Sequence, residues 1–336
     1  MKKFIILSTL LLAALACNLP TPTPTPSGLD QIFEFATQTA LAGGTIAPPI
    51  NQLPPTVTPT PSYEPTGKIA FTCQVFKVQS GDQICLMNAD GSGYRRLTTG
   101  DNIRHFYPSL APDGQSVVYS AFREENVFEI YEITLDGLVT RLTDRLGMLT
   151  APEISPDGSL ITFTHKTPDT PYAVWVMGRD GGNPRMVTPS GWDPTWSPDG
   201  SQILFASDMT GTIQLYRVNL DGSGLTAVTV SMPGLRGRTD WSATGDWIGT
   251  YAGGTWNWEV YLLRPDGSEI HQISPSGSVS LAPSFSPDGQ WVAFTGYMDH
   301  PGEDHGCEIY IMRLDGSDIR RLTNNDYCDW QPRWGP

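Results

Sequence analysis

Basic charge is what this chain has least of. Its 21 lysines and arginines stand against 35 aspartates and glutamates, a formal net charge of −14 over 336 residues. Nucleic acid demands a cationic footprint, and anionic lipid headgroups demand the same, so both are excluded as direct partners. A solvated acidic exterior accounts for most of the surplus. Common catalytic signatures are missing too: no G-x-S-x-G elbow, no H-E-x-x-H pair and no phosphate loop occurs. The apolar stretch Phe4–Ala16 is too short for a comfortable membrane span. From Gly67 onward nothing sustains a 3.6-residue apolar period, which excludes helix there.

What is present starts with Lys2 and Lys3, the apolar stretch, and Ala14-Leu15-Ala16-Cys17. A basic start, a short apolar run and small residues before a cleavage point describe a secretory signal over residues 1–16. Cys17 after small residues resembles the lipobox of bacterial lipoproteins, in which that cysteine takes the lipid. Ordinary cleavage near the same place is the alternative. Pro20–Pro26 reads PTPTPTP and Pro54–Pro61 reads PPTVTPTP. Such tracts stay extended and bury nothing, so residues 17–66 read as a tether. The expectation is an exported chain, lipid-anchored on the extracytoplasmic side, that touches the membrane through its anchor alone.

Residues 67–336 repeat themselves. Asp-Gly pairs begin at Asp90, Asp136, Asp180, Asp221, Asp266 and Asp315, at intervals of 46, 44, 41, 45 and 49 residues. Ser-Pro-Asp-Gly occurs at Ser155–Gly158, Ser197–Gly200 and Ser286–Gly289, and Ala111–Gly114 is a near copy. Between these turns run short β-branched and aromatic segments such as Leu160–Phe163 and Glu308–Leu314, the hairpin signal. Periods of this length signal propellers or solenoids. The units resemble the TolB-type, WD-like propeller repeats of bacterial envelope proteins, on Trp196-Ser197-Pro198-Asp199-Gly200, Glu308-Ile309-Tyr310, Asp315-Gly316-Ser317 and Arg321-Leu322-Thr323. The resemblance implies an all-β, six-bladed β-propeller of four-stranded antiparallel blades. Gln331–Pro336 supplies the innermost strand that the first repeat lacks, so the C-terminal strand is expected to close the first blade. The fifth repeat departs from the pattern, with Ser242-Ala243-Thr244-Gly245 in place of Ser-Pro-Asp-Gly; its hairpin is expected to form through Gly245.

In a four-stranded meander the Ser-Pro-Asp-Gly and Asp-Gly turns share one end and the variable loops the other. Binding residues favour variable loops on a rigid scaffold. Asp193, Asp240 and Asp329 precede innermost strands there, with His105 in a similar place. They are candidates for a metal or a basic group, or simply turn caps. Trp192, Trp256, Trp258 and Trp330 are candidates for stacking on sugars or anchoring a protein, or for packing between blades. No resident cofactor is expected. The loop with Asp299, His300, Glu303, Asp304 and His305 carries metal-ligating residue types, but its spacing matches no metal motif and a solvated acidic loop is the plainer reading. The four remaining cysteines, in an exported domain, suggest two bridges, with Cys73–Cys85 and Cys307–Cys328 as the expected pairs.

No catalytic residue is assigned. Propeller-bearing serine peptidases resemble this chain in their repeats but add an α/β-hydrolase domain, for which residues 67–336 leave no room. The expected function is a monomeric, lipid-anchored interaction scaffold for an envelope protein. A cell-wall glycan binder is the alternative, and a polysaccharide lyase or hydrolase using channel carboxylates is a further one.

Overall fold

The computed structural model describes residues 64–75, 81–100, 103–298 and 306–336. The signal, Cys17 and nearly all of the tether lie outside the described residues, as does the Asp299–His305 loop. Among the described residues every regular element is a strand.

The first group is β1 (Lys68–Gln74), β2 (Asp82–Asn88) and β3 (Arg95–Arg96). Then come β4 (His105–Leu110), β5 (Ser116–Glu124), β6 (Val127–Thr134) and β7 (Val139–Arg141), followed by β8 (Met148–Ile154), β9 (Leu160–Lys166), β10 (Ala173–Gly178) and β11 (Arg185–Thr188). The next eight are β12 (Trp192–Trp196), β13 (Gln202–Ser207), β14 (Gln214–Asn219), β15 (Thr226–Ala227), β16 (Asp240–Trp241), β17 (Ile248–Gly254), β18 (Asn257–Leu263) and β19 (His271–Gln272). The last five are β20 (Ser280–Phe285), β21 (Trp291–Gly296), β22 (Glu308–Arg313), β23 (Arg320–Arg321) and β24 (Asp329–Gly335).

Four sheets are four-stranded: β24-β1-β2-β3, β12 to β15, β16 to β19 and β20 to β23. The strands β4 to β11 form one eight-stranded sheet. Six separate four-stranded sheets are therefore not observed. The cause is local: Phe128 of β6 and Met148 of β8 form a parallel pair that joins two antiparallel meanders. β24 pairs with β1 through Lys68↔Gly335, Ile69↔Trp334 and Ala70↔Arg333, so the end of the chain occupies the inner edge of the first sheet. That pairing removes an exposed edge.

The sequence repeat acts through two recurrent devices. At the turns, Ser155, Ser197 and Ser286 donate their hydroxyls to Asp157, Asp199 and Asp288 at 2.5–2.6 Å, while the turn glycine donates its amide to the serine carbonyl. Ser242 keeps the same contacts with Thr244 and Gly245, at 2.9 and 2.8 Å, so the irregular fifth hairpin closes as expected. Gly181 and Gly267 have φ of 85° and 84°, and a Cβ there would collide with the carbonyl oxygens of Leu142 and Val228 in the preceding repeat. Glycine is required by both the positive φ and the close approach.

The second device is buried. The hydroxyl following the last strand accepts an amide from the third strand: Thr98 from Ile84, Thr143 from Ile130, Thr229 from Leu215, Ser274 from Val260 and Thr323 from Ile309, all at 2.8–2.9 Å. In four of these the hydroxyl also bonds a Gln or Glu within the first three residues of the third strand, namely Gln83, Glu129, Glu259 or Glu308. The paired acid and threonine of the repeat thus satisfy each other where water is excluded.

Apolar clusters lie between neighbouring groups of strands. Ile84 and Leu86 meet Val117 and Ile133, Val118 and Ile130 meet Ile161 and Phe163, and so on until Trp291 and Ile311 meet Ile69 and Phe71. Each sheet buries both faces against its neighbours, which is why its strands are apolar on both sides rather than alternating.

Candidate functional site

The inner strands β24, β4, β8, β12, β16 and β20 contact one another around a closed ring. Near its start each inner segment carries a residue with positive φ: Tyr107, Ala151, Asp193, Arg238, Ala282 and Gln331, between 49° and 58°. In five of the six the next residue is proline, Thr239 standing in that place in the fifth repeat. Register shifts follow at these points. Such bulges turn side chains out of the strand alternation, at about 1–2 kcal/mol for each non-glycine left-handed residue. Here they surround the channel.

Two arginines occupy the channel interior. Arg333, 5% exposed, forms an ion pair with Glu153, donates to the carbonyls of Thr239 (2.8 Å) and Pro283 (3.4 Å), and lies 3.9 Å from Asp240. Arg238, 3% exposed, donates to the carbonyl of Pro108 at 3.3 Å and lies 5.1 Å from the centre of the Tyr107 ring. Burial pulls Arg238 down to about 10, so it stays charged at neutral pH. Burial also acts against the charge of Arg333, but Glu153 and Asp240 more than offset it. Burial pushes the Glu153 carboxyl up, with Arg333 opposing. These contacts tie together inner strands from different sheets.

Beside this network, at the loop end, lies a cavity of about 510 Å³. Phe106, Tyr107, Phe128, Tyr172, Trp192 and Trp330 give it six aromatic walls, and among the described residues Asp193 and Asp208 are its ionisable carboxylates. The lining comes from inner-strand starts and from the ends of their neighbours, which places the cavity on the side opposite the Ser-Pro-Asp-Gly turns. The Asp193 amide donates to the Thr164 hydroxyl at 2.8 Å, fixing the bulge that presents its carboxyl. Burial pushes that carboxyl up, and Arg238 and Arg333 oppose the shift.

The structure thus brings Asp193, Trp192 and Trp330 together and disperses the other candidates. Asp240 accepts from the Ser284 hydroxyl and the Phe285 amide at 2.9 and 2.8 Å, a bond between sheets. Asp329 is 0% exposed and accepts from Asn325 at 2.8 Å; burial pushes it up to about 7. His105 lies buried against Gln83 and edge-on to Tyr119, and burial pulls it down to about 4. Trp256, 44% exposed, stands at a hairpin tip with its ring 5.9 Å from that of Trp258 and 6.0 Å from that of Tyr297. Both expected disulfides, Cys73–Cys85 and Cys307–Cys328, are present, with Cα separations of 5.8 and 4.5 Å.

Sequence reasoning missed Phe106, Tyr107, Phe128, Tyr172, Asp208 and both channel arginines. A signal existed for Glu153 and Arg333. They follow the inner-strand proline, where Ser109, Thr195 and Ser284 stand in other repeats. Charge at a position otherwise small and hydroxylic marks the channel network.

Residues 66–276 match the family described as the TolB beta propeller domain. An uncharacterized protein of Agrobacterium fabrum is 29% identical over 58% of this chain and 68% of its own length. An uncharacterized peptidase of Bacillus subtilis is 29% identical over 60% of this chain, which spans only 31% of the peptidase. Among solved structures, TolB from Acinetobacter baumannii superposes with a TM-score of 0.70 at 24% identity, covering 80% of this chain and 67% of that one. That likeness is one of fold.

Proposed function

The chain belongs to the family of TolB β-propeller domains, and from that premise we propose that it is an interaction module of the bacterial envelope, held by a lipid on Cys17. In this reading the two meanders joined in the eight-stranded sheet count as separate blades, giving six. The module is a monomer that grips an envelope protein at the loop end of its channel. One observation carries the proposal: the aromatic cavity with Trp192, Trp330 and Asp193, a concave, mostly apolar site with few polar groups. Binding rather than catalysis suits the channel. Arg333 pairs with Glu153, and Ser284 and the Phe285 amide hold Asp240, so these carboxylates are committed to structure.

A hydrolase acting on cell-wall glycan is the second reading. Asp193, pushed up by burial, shares the cavity with the exposed Asp208, and carboxyls in unlike surroundings suit acid and base roles.

The test uses residues 63–336, the compact unit, as bait in detergent-solubilised envelope of the native cell. One stoichiometric protein, lost with Trp192→Ala and Trp330→Ala while melting stays cooperative, supports the module. Oligosaccharide cleavage abolished by Asp193→Asn moves the reading to a hydrolase. Capture that ignores both tryptophans overturns the proposed site.

A further inference from the structure

The cavity shows what kind of group it is built to receive. All of its charged lining is negative: Asp193, set deep on a channel bulge, and Asp208 at the exposed rim. Among the described residues no lysine or arginine lines it. In the lining an anionic guest would meet two carboxylates and no cation. The rest of the wall is chiefly rings, whose faces carry the negative part of the aromatic quadrupole. Rings and carboxylates together attract one class of group, an organic cation.

The wall rings already serve cations elsewhere. Arg104 lies 4.8 Å from the centre of Phe106, Lys166 lies 4.3 Å from that of Tyr172, and Arg238 lies 5.1 Å from that of Tyr107. None of the three is part of the cavity lining, and the cations that oppose burial of the Asp193 carboxyl, Arg238 and Arg333, belong to the channel network and not to that lining. Burial raises the cost of ionising that carboxyl, and a cation entering the cavity would lower that cost.

We propose that this cavity is a receptor for a primary alkylammonium group, the side chain of a lysine on the protein partner. The stem lies across the rings of Trp192, Trp330 and Tyr107, and the ammonium meets Asp193 with Asp208 behind it. The inference rests on the reading of the chain as a protein-interaction module and names the chemistry of its contact.

The probe is n-butylammonium, a lysine side chain without its backbone, with n-butanol as the uncharged counterpart. The full chain is titrated with each at fixed ionic strength, following tryptophan fluorescence and heat. Saturable binding of n-butylammonium is expected, with no comparable response to n-butanol. Asp193→Asn should weaken it at least tenfold while melting stays cooperative, because asparagine tolerates the left-handed backbone at that position. Asp208→Asn lies at an exposed site, keeps the test alive if the first variant does not fold, and should weaken binding several-fold. Equal responses to the two probes, no saturable response, or affinity unchanged in both variants overturns the proposal. Partner capture on Trp192 and Trp330 is read separately, so an ammonium pocket can fail while the interaction module stands.

Discussion

At the turn end of each sheet, aspartates sit in solvent and accept hydrogen bonds from a nearby serine. At the channel end, carboxyls are buried among rings and arginines. Ser92, Ser155, Ser197, Ser223, Ser268 and Ser317 hold Asp90, Asp157, Asp199, Asp221, Asp266 and Asp315 below the usual carboxylate range. Burial pushes Glu153, Asp193 and Asp329 above it. The same residue type is used twice, once to shape backbone with water at hand and once to carry a charge that needs a partner. The turn end therefore tolerates loss of any one member, whereas at the channel end removing an arginine strands a buried carboxylate.

The sharpest way to break this contrast is Arg333→Met. It leaves Glu153 buried without its cation, and removing one partner of a buried pair costs about 3–5 kcal/mol. Urea unfolding should show that loss, and Glu153→Gln added to Arg333→Met should recover most of it. A lone Arg333→Met variant as stable as the parent would make the channel network ornamental.

The next largest effect is on pH. Burial pushes the Asp329 carboxyl up from its ordinary 3.8 to about 7 in the folded state, so the folded chain binds the extra proton between those limits. Stability is full below about pH 4 and falls as pH rises toward 7, by a slope of at most about 1.4 kcal/mol per pH unit. Asp329→Asn removes this fall and should melt higher than the parent at pH 8, with the two converging near pH 4. His105, pulled down to about 4, acts with the opposite sign. It costs stability as pH drops below 6.5 in both proteins and cancels in the difference.

A smaller loss is expected from Thr143→Val. It strips the Ile130 amide and the buried Glu129 carboxylate of a partner, at about 1–3 kcal/mol in chemical denaturation. The smallest effect belongs to the turn end. Thr244→Asp restores the common turn residue in the fifth repeat and should raise stability by about 1 kcal/mol or less. A larger gain there than the loss from Thr143→Val would invert the ranking of the two ends.

Much of this arrangement was legible beforehand, because each repeat writes its turns in Ser, Asp and Gly, whose local chemistry is the same in every copy. The pairing of β24 with β1 followed from a repeat whose first strand was missing at one end and present at the other. The disulfides followed from loops that bring their ends together. The site was legible only in part. Trp192, Asp193 and Trp330 sit at inner-strand starts and were found by position. Tyr172 and Phe128 reach the same cavity from the starts of the third strands β10 and β6, where only the curvature of the ring brings them inward. Asp240 and Asp329 resembled Asp193 in sequence position but bond to neighbouring sheets or lie buried, which spacing along one chain cannot distinguish.

The propeller is written in the repeats themselves, because turn residues and strand periods are local and recur at near-regular intervals. That two meanders share a sheet emerges only on folding, since it rests on one backbone pair between Phe128 and Met148. Folding also decided which carboxyls became partners of arginine, which were buried alone, and which one faces a cavity. Those outcomes depend on what lies across the channel from each residue, and residues there come from repeats 50 to 180 positions away (Pro283 and Glu153 against Arg333, for example). No local pattern encodes that distance.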